Sequence, residues 1–79
     1  MLASPNSPLG RKVSEYLCET HPNGLMVPEI YNRLVEDLKY SGTSQLIVDL
    51  LANHPNVYVR GPNGRWLDAA SVATDGGCH

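Results

Sequence analysis

The chain has 79 residues and a formal net charge of −2, from six Lys and Arg against eight Asp and Glu. This length allows one small domain with a single core, because chains divide into domains only at several times this size. The net charge has the wrong sign for a protein held to nucleic acid by overall phosphate neutralisation, so such binding would have to rest on a local basic patch. The sequence does not open with a positively charged start followed by a long apolar run, and it holds no run of about 18 apolar residues, so we expect neither export nor a membrane span.

The two cysteines, Cys18 and Cys78, are spaced without any pattern typical of a disulfide framework. Cys18 lies within a helical pattern and Cys78 within a Gly-rich end. We therefore expect reduced thiols and an intracellular, cytoplasmic location. Cys18 with His21 lacks the two further ligands of a zinc site, so we expect no bound metal and no cofactor.

Residues 1–8 are rich in Pro and Ser and show no periodicity, which predicts a flexible lead-in. A first helix is predicted from Pro8 or Leu9, because residues suited to one helical face then recur at spacings of three and four. These residues are Leu9, Val13, Tyr16, Leu17 and Thr20. The segment HPNG at 21–24 ends this helix, since the residue before a proline disfavours helical backbone and Asn-Gly favours a turn.

Residues 25–27 are apolar and too few for a helix, so they predict a short strand. Pro28 begins a second helix as a first-turn proline, with Glu29 beside it. That helix is predicted to end near 39–40, and Thr43 or Ser44 caps a third helix that stops before Pro55. The apolar stripes of these two helices are Ile30, Tyr31, Leu34, Val35 and Leu38, then Leu46, Ile47, Leu50 and Leu51.

Two β-rich runs at 57–60 and 65–68 flank the segment GPNG at 61–64, whose Asn-Gly end is a strong hairpin signal. These runs are predicted to pair antiparallel, with 25–27 as a third strand. Residues 70–79 lose apolar periodicity and predict a flexible tail, which leaves 9–69 as the domain.

The order helix, strand, helix, helix, strand, turn, strand predicts an α+β fold: a winged helix-turn-helix of three helices with a small antiparallel sheet. The sequence offers no nucleophile and base pair, no paired carboxylates and no phosphate loop, so we expect a binding module and not an enzyme. Glu36, Asp37, Asp49 and Asp68 are interpreted as solvated acidic residues.

A basic candidate surface lies on the predicted hairpin, or wing, where two arginines flank the turn beside aromatic residues. Guanidinium groups next to aromatic rings can contact phosphates or stack on bases, as single-stranded or folded RNA requires. The predicted RNA-binding residues are Arg60, Arg65, Arg11, Lys12, Tyr58 and Asn63. Because side chains alternate along a strand, either Trp66 or Leu67 faces the core, and Trp66 and Tyr58 are equally candidates for core residues.

The third helix of a helix-turn-helix enters the major groove of DNA. Its predicted exposed positions hold no Lys or Arg: Ser44, Gln45, Val48, Asp49, Ala52 and Asn53. Gln45 and Asn53 can read adenine, but Asp49 repels phosphate. Binding of duplex DNA is therefore the less favoured alternative.

The run SGTSQLIVDLLANHPNVYVRGPNGRWLDA at 41–69 resembles the second half of a LOTUS domain, also called OST-HTH. In that family a small-residue turn precedes a Leu-rich helix, a short Pro-containing link and a strand of the wing. The run VSEYLCETHPNGLMVPEIYNRLVEDL at 13–38 is similar to the first half, with an Asn-Gly turn before a short apolar segment and a Tyr in the second helix. The link between the second and third helices is shorter here than in many LOTUS domains.

The resemblance implies post-transcriptional or small-RNA regulation, because LOTUS domains occur in proteins of germ granules and piRNA pathways. Some bind G-rich or G-quadruplex RNA, and others dock a DEAD-box RNA helicase. Helicase-docking members resemble an extended form with an additional C-terminal helix, which the tail AASVATDGGCH does not predict.

The resemblance therefore favours the RNA-binding form, with ribonucleoprotein granules as a location. No RNA-contacting residue is carried over from the family. The alternative is a module that docks another protein, through an apolar groove between the second and third helices or through the wing edge. Neither alternative implies a small-molecule substrate.

Overall fold

Residues 4–74, the part of the chain that the computed structural model describes, contain four helices and a two-stranded antiparallel sheet. The helices are α1 (Pro8–Thr20), α2 (Val27–Leu38), α3 (Ser44–Ala52) and α4 (Ala69–Thr74). The strands are β1 (Tyr58–Arg60) and β2 (Trp66–Asp68). The protein therefore has an α+β fold, as the sequence predicted.

Local contacts set the ends of the first three helices. Ser7 precedes α1, and its Oγ accepts a hydrogen bond from the Gly10 N–H at 3.2 Å. Pro8 occupies the first turn, where its missing N–H leaves no donor unpaired. α2 ends because Lys39 takes a left-handed backbone conformation with φ 53°. The three helices predicted from the sequence are confirmed, with small differences at their ends.

Stripes of apolar side chains on α1, α2 and α3 meet in one core, which β1 closes. Among the described residues, ten apolar side chains are buried in it: Val13, Tyr16, Leu17, Leu25, Ile30, Leu34, Ile47, Leu50, Leu51 and Tyr58. The Tyr58 hydroxyl donates a hydrogen bond to the Gly10 carbonyl at 3.0 Å. This bond ties the sheet to the start of α1.

The register of the hairpin decides which of its side chains face the core. Tyr58 is opposite Asp68, Val59 is opposite Leu67, and Arg60 is opposite Trp66. Residues directly opposite each other share one face of an antiparallel pair. Trp66 is partly buried against the core, whereas Arg60, at the end of β1, is exposed.

The predicted third strand is wrong, because residues 25–27 contribute a single bridge. Leu25 and Trp66 exchange two backbone hydrogen bonds, of 3.1 Å from the Leu25 N–H and 2.7 Å from the Trp66 N–H. Gly24, with φ 78°, turns the chain just before this bridge, and α2 begins at Val27 just after it. The segment therefore has no room for a longer ladder.

A fourth helix, α4, occupies positions that the sequence assigned to a flexible tail. Asp68 stabilises its first turn, since Oδ2 accepts hydrogen bonds from the N–H and the hydroxyl of Ser71 at 3.3 and 3.2 Å. Asp68 and Ser71 are both buried, so the interpretation of Asp68 as a solvated residue is wrong. The rest of the predicted tail, residues 75–79, lies outside the described residues.

Cys18 is disulfide-bonded in the structure, so the expectation of reduced thiols is wrong. Its Sγ lies 3.4 Å from the Ser71 hydroxyl, which shows that α4 packs beside α1. The sequence did not predict α4, so it gave no reason to expect residues after β2 to lie beside Cys18. Cys78, the other cysteine of the chain, lies outside the described residues.

The predicted lead-in also has local structure where it is described. The Ser7 N–H donates to the Ser4 carbonyl at 3.0 Å, which closes a turn before α1. Residues 1–3 lie outside the described residues. Within 4–74, none of the helices combines the length and the apolar character needed to cross a membrane.

Candidate nucleic-acid interface

The hairpin presents a guanidinium group against an aromatic ring. The Arg60 guanidinium carbon lies 5.8 Å from the centroid of the Trp66 ring, within the range of a cation–π contact. The Arg60 Nε also donates to the Gly64 carbonyl at 3.4 Å, across the hairpin loop. Packing of Trp66 on the core fixes the ring, and the ring in turn orients the exposed Arg60 side chain.

The hairpin loop orders two more of the predicted residues. The Gly61 N–H donates to the Arg65 carbonyl at 2.7 Å, and Gly64 takes φ 83°, so the loop closes tightly. The exposed Asn63 accepts a hydrogen bond from the Arg65 N–H through Oδ1 at 3.2 Å. The Asn63 side chain is thereby held at the tip, with its amide N–H₂ group available to a ligand.

Arg65 differs from Arg60 because it already has an anionic partner. Its Nη1 lies 2.9 Å from Oε1 of Glu29, on α2, and the Arg65 side chain is 38% exposed. The pair leaves the other N–H groups of the guanidinium for a ligand, but its positive charge is partly neutralised.

Tyr58 does not belong to this surface, which corrects the prediction that it contacts RNA. Its side chain is 1% exposed, and its hydroxyl is bonded to the Gly10 carbonyl. Burial raises the pKa of the Tyr58 phenol above its usual range. Tyr58 and Arg60 share one face of β1, but Tyr58 is buried in the core and Arg60 is exposed.

The two basic residues predicted on α1 differ in how available their charges are to a ligand. Arg11 is exposed and makes no ion pair with residues 4–74. Lys12 lies 3.6 Å from Glu15 and 5.9 Å from the centroid of the Tyr16 ring. Among the described residues, neither forms a hydrogen bond or an ion pair with the hairpin, so the structure does not join them to it. Arg11 is therefore the more available cation of the two.

Within residues 4–74, three of the six basic side chains form ion pairs. Lys12, Arg33 and Arg65 pair with Glu15, Glu19 and Glu29, respectively. Arg60, Arg11 and Lys39 have no ion-pair partner within the described residues. Arg60 is thus the hairpin cation that no carboxylate from residues 4–74 pairs with.

Sequence reasoning missed Glu29 and left the role of Trp66 open. The Glu29–Arg65 contact joins residues 36 positions apart, and no local pattern marks it. Alternation of side chains along β2 left open whether Trp66 or Leu67 faces the core. The register of the hairpin places Trp66 opposite Arg60. Both residues belong to the surface around the hairpin.

The third helix keeps the acidic character that argued against DNA. Gln45 donates to the Asp49 carboxylate at 3.0 Å, and the Asn53 side-chain amide donates to the Asp49 carbonyl at 2.8 Å. Both amides that can read adenine are therefore engaged within the helix.

An apolar groove of about 570 Å³ lies between the starts of α2 and α3, and it is separate from the hairpin surface. Its walls are Val27, Pro28, Tyr31, Asn32 and Ser44. Val35 and Leu38 continue this side of α2 and are each 39% exposed. The groove thus adjoins a strip of exposed apolar surface, a feature of sites that bind other proteins.

Tyr16, a buried residue of α1, makes a partly buried contact with α2. Its hydroxyl donates to Oδ2 of Asp37 at 2.5 Å, and the Arg33 guanidinium lies 5.5 Å from its ring centroid. Burial, together with the hydrogen bond and the negative charge of Asp37, raises the pKa of the Tyr16 phenol. The folded state therefore favours the neutral phenol more strongly than the unfolded state does.

This shift predicts that the domain loses stability in alkaline solution. Stability from a raised tyrosine pKa is complete below the ordinary value of about 10 and is lost as the pH rises above it. One pH unit above that value the loss is about 1.4 kcal/mol per strongly shifted tyrosine. We expect the thermal unfolding midpoint to fall by about 4–8 °C per kcal/mol lost.

The measurement is thermal unfolding by circular dichroism between about pH 9 and pH 11. Tyr16→Phe should reduce the alkaline loss, because phenylalanine does not ionise. Tyr31→Phe is the matched control, since the Tyr31 hydroxyl makes no hydrogen bond within the described residues. An equal alkaline loss in both variants would contradict the prediction.

Comparison with protein-family models, with curated proteins and with solved structures found no match to this chain. No group of three or more metal-ligating side chains occurs within residues 4–74.

Proposed function

We propose that the chain is a non-catalytic RNA-binding module, a winged helix of LOTUS type that binds RNA with its hairpin. The observation that carries the proposal is the Arg60 guanidinium over the Trp66 ring, on an exposed hairpin and without a carboxylate partner among the described residues. Such a pair offers a cation to a phosphate and a planar surface to an unstacked base.

The neighbouring side chains extend this surface. Arg65 supplies a second guanidinium and Asn63 an amide at the tip. Arg11 and Lys12 are outer contacts that a longer RNA can reach. A ligand that presents exposed bases and clustered phosphates, such as G-rich or quadruplex RNA, fits these groups better than duplex DNA does, because α3 carries no basic residue.

The winged-helix assignment is part of the proposal. It is supported by the helix order, by the antiparallel hairpin after α3 and by the Leu25–Trp66 bridge, which connects the segment before α2 to that hairpin. The proposed context is post-transcriptional or small-RNA regulation in ribonucleoprotein granules of the cytoplasm. This location rests on the resemblance to LOTUS domains, because the disulfide at Cys18 removes the argument from reduced thiols.

Fluorescence anisotropy with labelled G-quadruplex RNA, unstructured RNA and duplex DNA tests the proposal. We expect the quadruplex RNA to bind most tightly. With four phosphate contacts, its affinity should fall by about 50-fold between roughly 50 and 200 mM salt, since each contact contributes about 0.7 to the slope of log K against log salt. Absence of binding to all three at about 100 μM protein, weaker than ordinary non-specific affinity, would refute the proposal.

A second candidate function is docking of another protein, such as a DEAD-box RNA helicase. Two observations favour it: the apolar groove between α2 and α3 with its exposed neighbours Val35 and Leu38, and α4 itself. Helicase-docking LOTUS domains resemble a form with an additional C-terminal helix, and the sequence predicted no such helix here. Because α4 follows β2, that reason for disfavouring helicase docking no longer holds. Docking in an apolar groove should change little over the same salt range, which separates it from RNA binding.

A further inference from the structure

The Glu29 carboxylate connects α2 to the hairpin through a single oxygen. Its Oε1 accepts a hydrogen bond from the Met26 N–H at 3.0 Å, at the start of α2, and another from Arg65 Nη1 at 2.9 Å. The Glu29 and Arg65 side chains are 46% and 38% exposed, respectively. A solvent-borne anion can therefore reach the pair.

A phosphate and this carboxylate compete for the positive charge of Arg65, although Glu29 contacts only Nη1 of the guanidinium. Both anions accept hydrogen bonds from guanidinium N–H groups, and both gain from its positive charge. Arg60 has no such carboxylate among the described residues, so the two hairpin arginines start from different states. The Arg60 charge is fully available to a phosphate in this respect, whereas the Arg65 charge is already partly neutralised by Glu29.

We propose that Glu29 is an intramolecular competitor for RNA phosphate at Arg65 and thereby limits the affinity of the hairpin for RNA. This inference rests on the proposed RNA-binding function. An exposed ion pair of this kind changes an equilibrium constant by about 1.4- to 5-fold, so Glu29 weakens RNA binding without preventing it.

Glu29→Gln separates the two contacts of the carboxylate. Glutamine retains a side-chain oxygen for the Met26 N–H, as glutamine does in other capping boxes, but it has no charge to hold Arg65. Glu36→Gln is the matched control. Glu36 lies on the same side of α2 two turns further on, and it has no ion pair within the described residues. Both variants change the net charge by the same amount.

The experiment measures binding of labelled G-quadruplex RNA to these variants at roughly 50 and 200 mM salt. Glu29→Gln should bind about 1.4- to fivefold more tightly than Glu36→Gln at the lower salt. Its slope of log K against log salt should be steeper by about 0.7, the contribution of one added phosphate contact. In an Arg65→Gln background the difference between the two variants should vanish.

Three other outcomes of this experiment would show whether the competitor role or the RNA-binding proposal is wrong. If the unchanged chain binds RNA and Glu29→Gln binds no more tightly than Glu36→Gln, the competitor role is wrong and the RNA-binding proposal stands. A gain that persists in the Arg65→Gln background also overturns the role, because the gain would then not pass through Arg65. If no variant binds RNA, the proposed function fails and this inference fails with it.

Discussion

Replacing both hairpin arginines, in Arg60→Glu/Arg65→Glu, is expected to weaken RNA binding by about a hundredfold. A hydrogen bond to a charged group contributes about 1.5 kcal/mol or more, so the loss of two such contacts gives this factor. Reversal of charge adds repulsion between the new carboxylates and the phosphates. The measurement is anisotropy with labelled G-quadruplex RNA at low salt, where electrostatic contacts contribute most.

Arg33→Glu/Lys39→Glu is the matched control for this variant. Each Arg→Glu or Lys→Glu exchange lowers the formal charge by two, so both double variants carry −6 where the unchanged chain carries −2. Arg33 and Lys39 belong to α2 and its C-terminal end, away from the hairpin. We expect this control to lose only a fewfold in affinity, through long-range repulsion alone.

Trp66 gives a second readout, because it is the one tryptophan in the sequence. Bases that stack beside the Arg60–Trp66 pair should change its fluorescence when RNA binds, and Arg60→Glu/Arg65→Glu should abolish the change. Circular dichroism verifies that both double variants are folded. Equal loss of affinity in the two would show that net charge, and not the hairpin, governs binding.

The elements that the sequence predicted well are those whose determinants are local. Ser7 with Pro8 starts α1, and the Asn-Gly of the hairpin loop closes the turn between β1 and β2. The spacing of apolar residues then indicates the buried face of each helix. These features depend only on residues within a few positions of one another.

The elements that the sequence failed to predict depend on contacts between distant segments. The Leu25 bridge is short because Gly24 and α2 limit it on both sides. α4 lacks a long apolar stripe and owes its first turn to Asp68, whose burial follows from its position opposite Tyr58. A short helix capped by a strand residue gives no periodic pattern.

The candidate site could be predicted in part for the same reason. The positions of Arg60 and Asn63 follow from the hairpin itself, and both are exposed. Charge alone, however, does not tell which arginine is paired, and the Glu29 contact of Arg65 depends on how α2 packs beside the hairpin. The aromatic partner of Arg60 depends on the register of the hairpin, which the turn type and loop length determine together with the alternation of side chains.

Tyr58→Ala is expected to leave the domain unfolded. Tyr58 is the largest fully buried side chain among the described residues, and replacement of a buried aromatic residue by alanine costs about 3–5 kcal/mol. The single core of a domain of this size supplies a stability of roughly 3–5 kcal/mol, so this loss removes most or all of what the core supplies. Circular dichroism and urea unfolding measure the effect.

Tyr58→Phe is the control that separates the structural role of this residue from a role in RNA binding. It keeps the ring in the core and removes only the hydroxyl that bonds to Gly10, at a cost of about 1 kcal/mol, so the domain should remain folded. Because the Tyr58 hydroxyl is buried at the start of α1 and does not reach the hairpin surface, RNA affinity should stay within about twofold of the unchanged chain, a difference of about 0.4 kcal/mol. A folded Tyr58→Phe that loses RNA binding would mean that the phenol leaves the core to meet the ligand, and would restore Tyr58 to the contact surface that the sequence predicted.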